Sequence, residues 1–485
     1  MQEITGKKYL LPLTLTTLSV ASFFLRFFSL QQTEFANGWD GYFYLVQLKS
    51  FFEEGSMHSS DYSLIYPLMF VIQWLTGDYV LTYKITSALL CALFTLAVSV
   101  FVLRYSKNKT LSLMAGAFTV FSPQLTFFVS QYPKNLLGVD MLILYMAFFR
   151  HRYKALPAGL FILNLFGHRV TFILSVVFTI CMFLSQKHLK WLLYGFLGIV
   201  TLGTITVLIP GLINLHDFER FSGEFSLTPQ FAPLSFINEF TNEKLTMLWK
   251  AEIMFAVLFY AFSVFLLVRM FLKKEHNRIH FSLIILFAIL LFPFFRWSLE
   301  GFSFRMYLLF VIMVPLLFIN LPGRLNTAFM VTIPSLLVLS FFSTQSYDPQ
   351  KHDPPYAKYE VVAQKVSQSG FDIELIIGHK ALAEYVTYSS GIDVMPWIPD
   401  YKIEKEKLWR IAADVRELEL EYYIGEENMK YVKRLNMGYF LIREDLWQLF
   451  LKLVIEKDND TELYNRVNTW KNPSEVRPYY LGKNR

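Results

Sequence analysis

The chain has 485 residues, 54% of them hydrophobic and 18% aromatic, with only 17% charged, a balance outside that of soluble globular domains. Its formal charge of +6 is dispersed in short basic clusters between apolar runs, which argues against a nucleic-acid surface and for a polytopic membrane protein. Cys91 and Cys181 both fall within apolar runs, so neither a disulfide framework nor a cysteine metal site is available.

In chain order, residues 9–28 follow Lys7-Lys8 and read as an uncleaved signal anchor, too long for a secretory core and without a small-x-small cleavage pattern. Further apolar runs lie near 80–103, 111–129, 134–149, 155–166, 170–185, 191–210, 251–272, 279–295, 303–320 and 325–342. The expectation is about eleven transmembrane helices, judged against the ~20 residues that cross a bilayer. With the N-terminus in the cytoplasm, the inner turns hold Arg104, Lys107, Lys109, Arg150, Arg152, Lys154, Lys187, Lys190, Lys273, Lys274, Arg278 and Arg324. That is the positive-inside pattern, and it explains the basic excess.

The first outer segment, 29–79, contains Asn37-Gly38-Trp39-Asp40-Gly41-Tyr42-Phe43-Tyr44. Aromatic residues are ordinary at a lipid–water boundary; a carboxylate among them is not. Residues 42–54 read as a short helix on the membrane surface, and an aromatic half-span follows at 62–74. Two later regions cross twice in little length. Residues 111–149 are broken at Phe121-Ser122-Pro123 and again at Ser130-Gln131-Tyr132-Pro133-Lys134-Asn135, and 155–185 turn at Gly167-His168-Arg169. Helices of ~15 residues cover only about 22 Å. Their turns are therefore expected to be sunk in a protein-lined cavity, where irregular backbone is tolerated.

Beyond Phe342 the composition becomes charged. Residues 343–485 are expected to form a small α/β domain outside the cytoplasm, and 1–342 the transmembrane domain. Asp353-Pro354-Pro355 reads as a linker, with strands at 373–377 and 439–442 and helices near 356–368, 379–389 and 404–420.

The outer ends of the spans collect Asp40, His58, Asp61, Lys134, His168, Arg169 and Arg305, the last near Glu300. Ionisable groups at membrane depth commonly mark a substrate path, and cations there suit a lipid phosphate. Plainer readings compete. Lys134 could snorkel, Arg305 could pair structurally with Glu300, and His58 and Asp61 could be solvated loop residues. Asp140 reads as a packing residue.

Trp39-Asp40-Gly41-Tyr42-Phe43-Tyr44, Asp61-Tyr62-Ser63-Leu64-Ile65-Tyr66-Pro67-Leu68, the Phe121-Ser122-Pro123 break and Gly167-His168-Arg169 together resemble the GT-C glycosyltransferases. The resemblance implies an integral-membrane enzyme that moves a hexosyl or pentosyl unit from a polyprenyl-phosphate-linked donor to a glycan, lipid or protein acceptor outside the cytoplasm. It implies a cytoplasmic or ER-like membrane, with the active site and C-terminal domain facing away from the cytoplasm. Asp40 would be the catalytic base of an inverting displacement. Lys134, His168, Arg169 and Arg305 would bind the lipid phosphate, and Tyr44, His58 and Asp61 would complete the substrate surface.

The likeness is closest to users of a lipid monophosphate sugar, such as protein O-mannosyltransferases and the lipid A aminoarabinose transferase. Oligosaccharyltransferases of the superfamily carry Trp-Trp-Asp-Tyr-Gly in the outer domain and metal-binding acids in the second outer loop. Gln131-Tyr132-Pro133-Lys134 has no such acid, so no cofactor and no metal are expected. Gly41 stands where the O-mannosyltransferases usually have an acid. The competing class is a transporter or flippase of a lipid-linked glycan. It calls for polar groups along the spans, whereas here they read as gathered at the outer ends, and for two similar halves, of which there is no sign.

Overall fold

The computed structural model describes residues 2–59, 61, 63–184, 247–273, 277–296 and 302–321. Beyond these it describes 353–357, 359–360, 363–364, 375–376, 380–391, 393–394, 422–424 and 432–434. In chain order the helices are α1 (Gln2–Leu30), α2 (Gly41–Glu54), α3 (Ile65–Thr76), α4 (Tyr79–Ser106), α5 (Lys109–Phe121), α6 (Pro123–Gln131) and α7 (Pro133–Phe148). They continue with α8 (Ala155–Gly167), α9 (Arg169–Leu184), α10 (Met247–Leu272), α11 (Arg278–Leu290), α12 (Phe302–Met313) and α13 (Lys380–Ser390). The chain divides into two units, Met1–Glu34 with Ser60–Lys351, and Phe35–Ser59 with His352–Arg485.

The first unit is helical. Leu10–Leu30 of α1, all of α4, Trp249–Met270 of α10 and Phe302–Asn320 are each long and apolar enough to cross a membrane. The α5–α6 pair, bent by 58°, makes a fifth if counted as one broken span. The protein is thus a helical membrane protein. Of the eleven expected spans, those near 191–210 and 325–342 lie outside the described residues, as do the 342/343 domain boundary and Glu300.

Local chemistry sets the helix ends. Asp78 caps α4 by accepting from Leu81 N at 2.7 Å, and Lys107 closes it in the left-handed region at φ 58°. Asn108 at once caps α5, accepting from Thr110 N and Leu111 N. The α4–α5 turn is therefore only two residues long and forces the helices antiparallel. Hydroxyls bind them to α1. Ser22 Oγ donates to Cys91 O at 3.1 Å, Thr95 Oγ1 to Ser22 Oγ at 2.9 Å, and Thr119 Oγ1 to Thr95 Oγ1 at 3.1 Å. Small residues and hydroxyls do this work where lipid tails remove the hydrophobic drive between helices. This buried seam adds hydroxyls within the spans to the polar groups that the sequence gathers mainly at their outer ends.

In the second unit, α2 realises the helix expected over 42–54. It is less superficial than a surface helix should be, since Tyr42, Tyr44, Leu45, Val46, Gln47, Leu48 and Ser50 are all buried. The unit also holds two short ladders. Leu375–Ile376 pairs parallel with Asp393–Val394, and Tyr422–Ile424 antiparallel with Val432–Arg434. α13 matches the helix expected at 379–389, whereas the expected helix at 404–420 and strand at 439–442 lie outside the described residues.

Candidate anion site and catalytic loop

The helical unit brings together five of the eight candidate residues. Asp61 is the hub. Its carboxylate accepts from Lys134 Nζ at 2.8 Å on both oxygens, from Ser63 N at 3.2 Å and from the Tyr66 hydroxyl at 3.2 Å. Arg169 also interacts electrostatically with Asp61. Lys134 is therefore an ion-pair partner here, with neither end fully exposed: 29% for the lysine side chain and 16% for the aspartate. Arg305 lies over the Tyr132 ring, 4.6 Å from its centroid, a cation–π contact.

The turn Gly167-His168-Arg169 is built by its neighbours. Asn164 accepts from Thr171 Oγ1 at 2.9 Å and donates to Thr171 O at 3.0 Å, tying the end of α8 to the start of α9. The terminal carbonyls of α8 are taken up by the 61–66 stretch: Leu64 N donates to Phe166 O at 3.0 Å and Ser63 Oγ to Gly167 O at 3.4 Å. The turn lies directly on α7. A Cβ on Gly138 would fall 2.4 Å from Thr171 Oγ1 and 2.5 Å from His168 Cβ, so only glycine allows this approach.

His168 lies in the turn, outside both helices. Its burial, together with Lys134, Arg305 and Arg169 nearby, lowers the imidazole pKa to about 3. The neutral imidazole is thereby favoured, so the part expected of His168 toward a phosphate would be that of a hydrogen-bonding group. Its Nδ1 is buried without a hydrogen-bond partner among the described residues.

The placement of the three cations is the most informative feature. Lys134 is the second residue of α7, Arg169 the first of α9 and Arg305 the fourth of α12. A helix N-terminus carries about half a positive charge, and a cation in its first turn is disfavoured by roughly 0.3–1 kcal/mol. Three helices therefore converge with the wrong charge at their positive ends. Such an arrangement is suited to a bound anion, which would meet side-chain cations and N-terminal dipoles at once. Among the described residues, no group of three or more His, Cys, Asp or Glu side chains is placed to hold a metal ion.

The other three candidates, Asp40, Tyr44 and His58, belong to the second unit. Asp40 is half-buried at the N-cap of α2, with φ −101° and ψ 3°, in the bridge region where active-site residues are often found. A carboxylate at this end of the helix is well placed with respect to the dipole. The turn before it is held from far along the chain. Gly38 N donates to Asp353 Oδ1 at 2.8 Å, Asn37 Nδ2 to Asp353 Oδ2 at 3.1 Å, and the Tyr356 hydroxyl to Gly38 O. Gly38 adopts φ 78°, which a side chain would resist.

Behind the loop, the Tyr42 ring packs 4.7 Å from Tyr356 and 4.6 Å from Tyr385. Burial pushes the phenols of Tyr42 and Tyr356 up, so both stay neutral. Tyr44 is buried beside Phe43. His58 is half-buried next to Ser59, which exchanges hydrogen bonds with the Gln47 side chain at 2.7 and 2.9 Å.

Sequence reasoning missed three side chains of consequence. Asp353 was read as part of a linker. Arg26 and Glu252 were absorbed into apolar runs, although a lone charge within a span is itself a signal. A scan of protein-family models gives no match, and a search of curated proteins finds no significant relative.

Proposed function

We propose that the chain is an integral-membrane glycosyltransferase that takes a sugar from a polyprenyl-phosphate donor. The observation that carries the reading is the convergence of Lys134, Arg169 and Arg305 in the first turns of α7, α9 and α12. A lipid phosphate leaving from an anomeric carbon develops negative charge, and preorganised cations and helix dipoles are the groups that stabilise it. The neutral His168 would add one hydrogen bond without charge. Asp40, held at the start of α2, would accept the proton of the acceptor hydroxyl. The site would face away from the cytoplasm, with the acceptor a glycan, lipid or protein.

The competing reading, a flippase of a lipid-linked glycan, draws on a different observation. Asp140 in α7 is fully buried, and neither carboxylate oxygen has a hydrogen-bond partner among the described residues, as a carboxylate on a transport path would be. Purified protein supplied with a polyprenyl-phosphate sugar and an acceptor extract separates the two by release of free lipid phosphate. The transferase releases it, and Asp40→Asn slows release by ~10²–10⁴, the usual effect of losing a general base. Movement of intact glycolipid between leaflets without release would overturn the transferase.

A further inference from the structure

The broken span between α5 and α6 has buried side chains of opposite charge on its two open ends. Arg26, fully buried in α1, donates through Nη2 to Thr119 O at 2.8 Å and to Ser122 O at 2.9 Å, and through Nη1 to Val120 O. These are carbonyls that end α5. Glu252, 7% exposed on α10, accepts from the Ser122 hydroxyl and from Gln124 N at 3.3 Å. Those groups begin α6, where the Ser122 hydroxyl also caps Leu125 N at 3.1 Å. Each charge has the sign the helix end calls for: a cation at the carbonyl end and a carboxylate at the N–H end. At membrane depth, unsatisfied backbone groups are expensive, so the two side chains make the 58° bend tolerable at this one place.

α6 is only nine residues long, and its far end delivers the anion site. Tyr132, under Arg305, is the residue between α6 and α7, and Lys134 follows two residues later. The body of α6 is wedged by aromatic contacts. Phe127 packs 5.4 Å from Trp249 on α10 and 6.1 Å from Phe304 on α12, while the Tyr83 hydroxyl on α4 donates to Ser130 O at 3.2 Å. Over so short a helix, a change of bend at Ser122 becomes a displacement at Tyr132 and Lys134.

We propose that Arg26 and Glu252 are a positioning pair for the anion site, fixing the α5–α6 bend that places Tyr132 and Lys134. The site's function rests on the glycosyltransferase reading; the geometry of the pair does not. Arg26→Met and Glu252→Gln test it in the full chain. One readout is conformational. Cys91 and Cys181 are buried, so a cysteine introduced at Ser130, itself fully buried, reports whether α6 keeps its place. Its reaction with N-ethylmaleimide should be slow in the parent and at least about tenfold faster with either substitution, because a released helix end samples open states.

The second readout is half-saturation by farnesyl phosphate. It should rise about tenfold or more in both variants, with partial recovery in Arg26→Lys, which keeps the charge but not the fork of donors. Variants that melt earlier yet label and bind as the parent does would make the pair structural only and overturn the proposal. If Arg26→Met does not fold, Glu252→Gln carries the same comparison. Faster labelling in a protein whose parent form ignores farnesyl phosphate would keep the positioning role and overturn the phosphate reading instead.

Discussion

The Lys134 ammonium lies 2.8 Å from both carboxylate oxygens of Asp61, so one cation of the candidate anion site is matched by a carboxylate of the same chain. On the proposed phosphate reading, an incoming phosphate would compete with Asp61 for Lys134. Asp61→Asn keeps the shape, removes the competitor and is expected to tighten farnesyl phosphate binding several-fold. It should cost about 1 kcal/mol of stability, the usual size of a partly solvated ion pair. A phosphate titration with a thermal melt checks both signs; weaker binding would mean that Asp61 serves to orient Lys134.

Arg169 offers a trade-off of opposite signs. It opens α9, where a cation is disfavoured by the dipole. Arg169→Gln should leave the melting temperature unchanged or slightly raised. Its farnesyl phosphate affinity should drop by roughly 1.5–3 kcal/mol, the worth of a lost charge-assisted contact. Loss of stability with unchanged affinity would assign Arg169 to structure.

His168 gives a pH signature. Its folded pKa of about 3 lies below the unfolded value of about 6.5, so the unfolded chain binds the proton first as pH falls. Its stabilising contribution is complete above about pH 6.5 and declines as pH drops toward 3, by up to about 1.4 kcal/mol per pH unit. His168→Gln should remove this component, so its melting temperature should fall less between pH 7 and 5 than the parent's. Parallel curves would show the histidine to be solvated and titrating normally.

Gly138→Ala tests the close packing beneath the turn. The new methyl would meet Thr171 Oγ1 and His168 Cβ, and would lie 3.1 Å from the His168 backbone nitrogen. Backbone cannot rotate away as a side chain can. A destabilisation of about 1–3 kcal/mol is expected, together with weaker phosphate binding as the turn lifts from α7. Calorimetry and the same titration suffice.

Sidedness is checked by labelling intact cells with a membrane-impermeant thiol reagent. Ser389 and Lys109 are both exposed. Ser389→Cys should react and Lys109→Cys should not; the reverse pattern would invert the topology.

The sequence made the breaks readable because their chemistry is local. Ser122 followed by Pro123 ends one helix and starts another, and Pro133 does the same after Tyr132. The cations of the anion site were visible as charges in apolar surroundings. Their common position in first turns was not, since it depends on where α7, α9 and α12 begin. Arg26 and Glu252 could not be paired on paper. Ser122 and Glu252 are 130 residues apart, and neither charge reveals that its partner is the backbone of a third helix. Asp353 was obscured by Pro354-Pro355, whose stiffness reads as a linker. Residue type places His168 with the cations, and only its buried surroundings show that the neutral form is favoured.

The grip of Asp353 and Tyr356 on Gly38 spans 315 and 318 residues of chain, which has a consequence in time. A ribosome has made α1, α2 and most of the helical unit before it reaches the groups that hold the Asp40 turn. Domains form as their parts emerge, so until then the turn has no Asp353 or Tyr356 to settle against. A chain halted short of residue 353 would carry the Asp40 turn without the groups that hold it. Completion of synthesis thus settles the Asp40 turn last, and the catalytic role proposed for that carboxylate would wait until the whole protein is made.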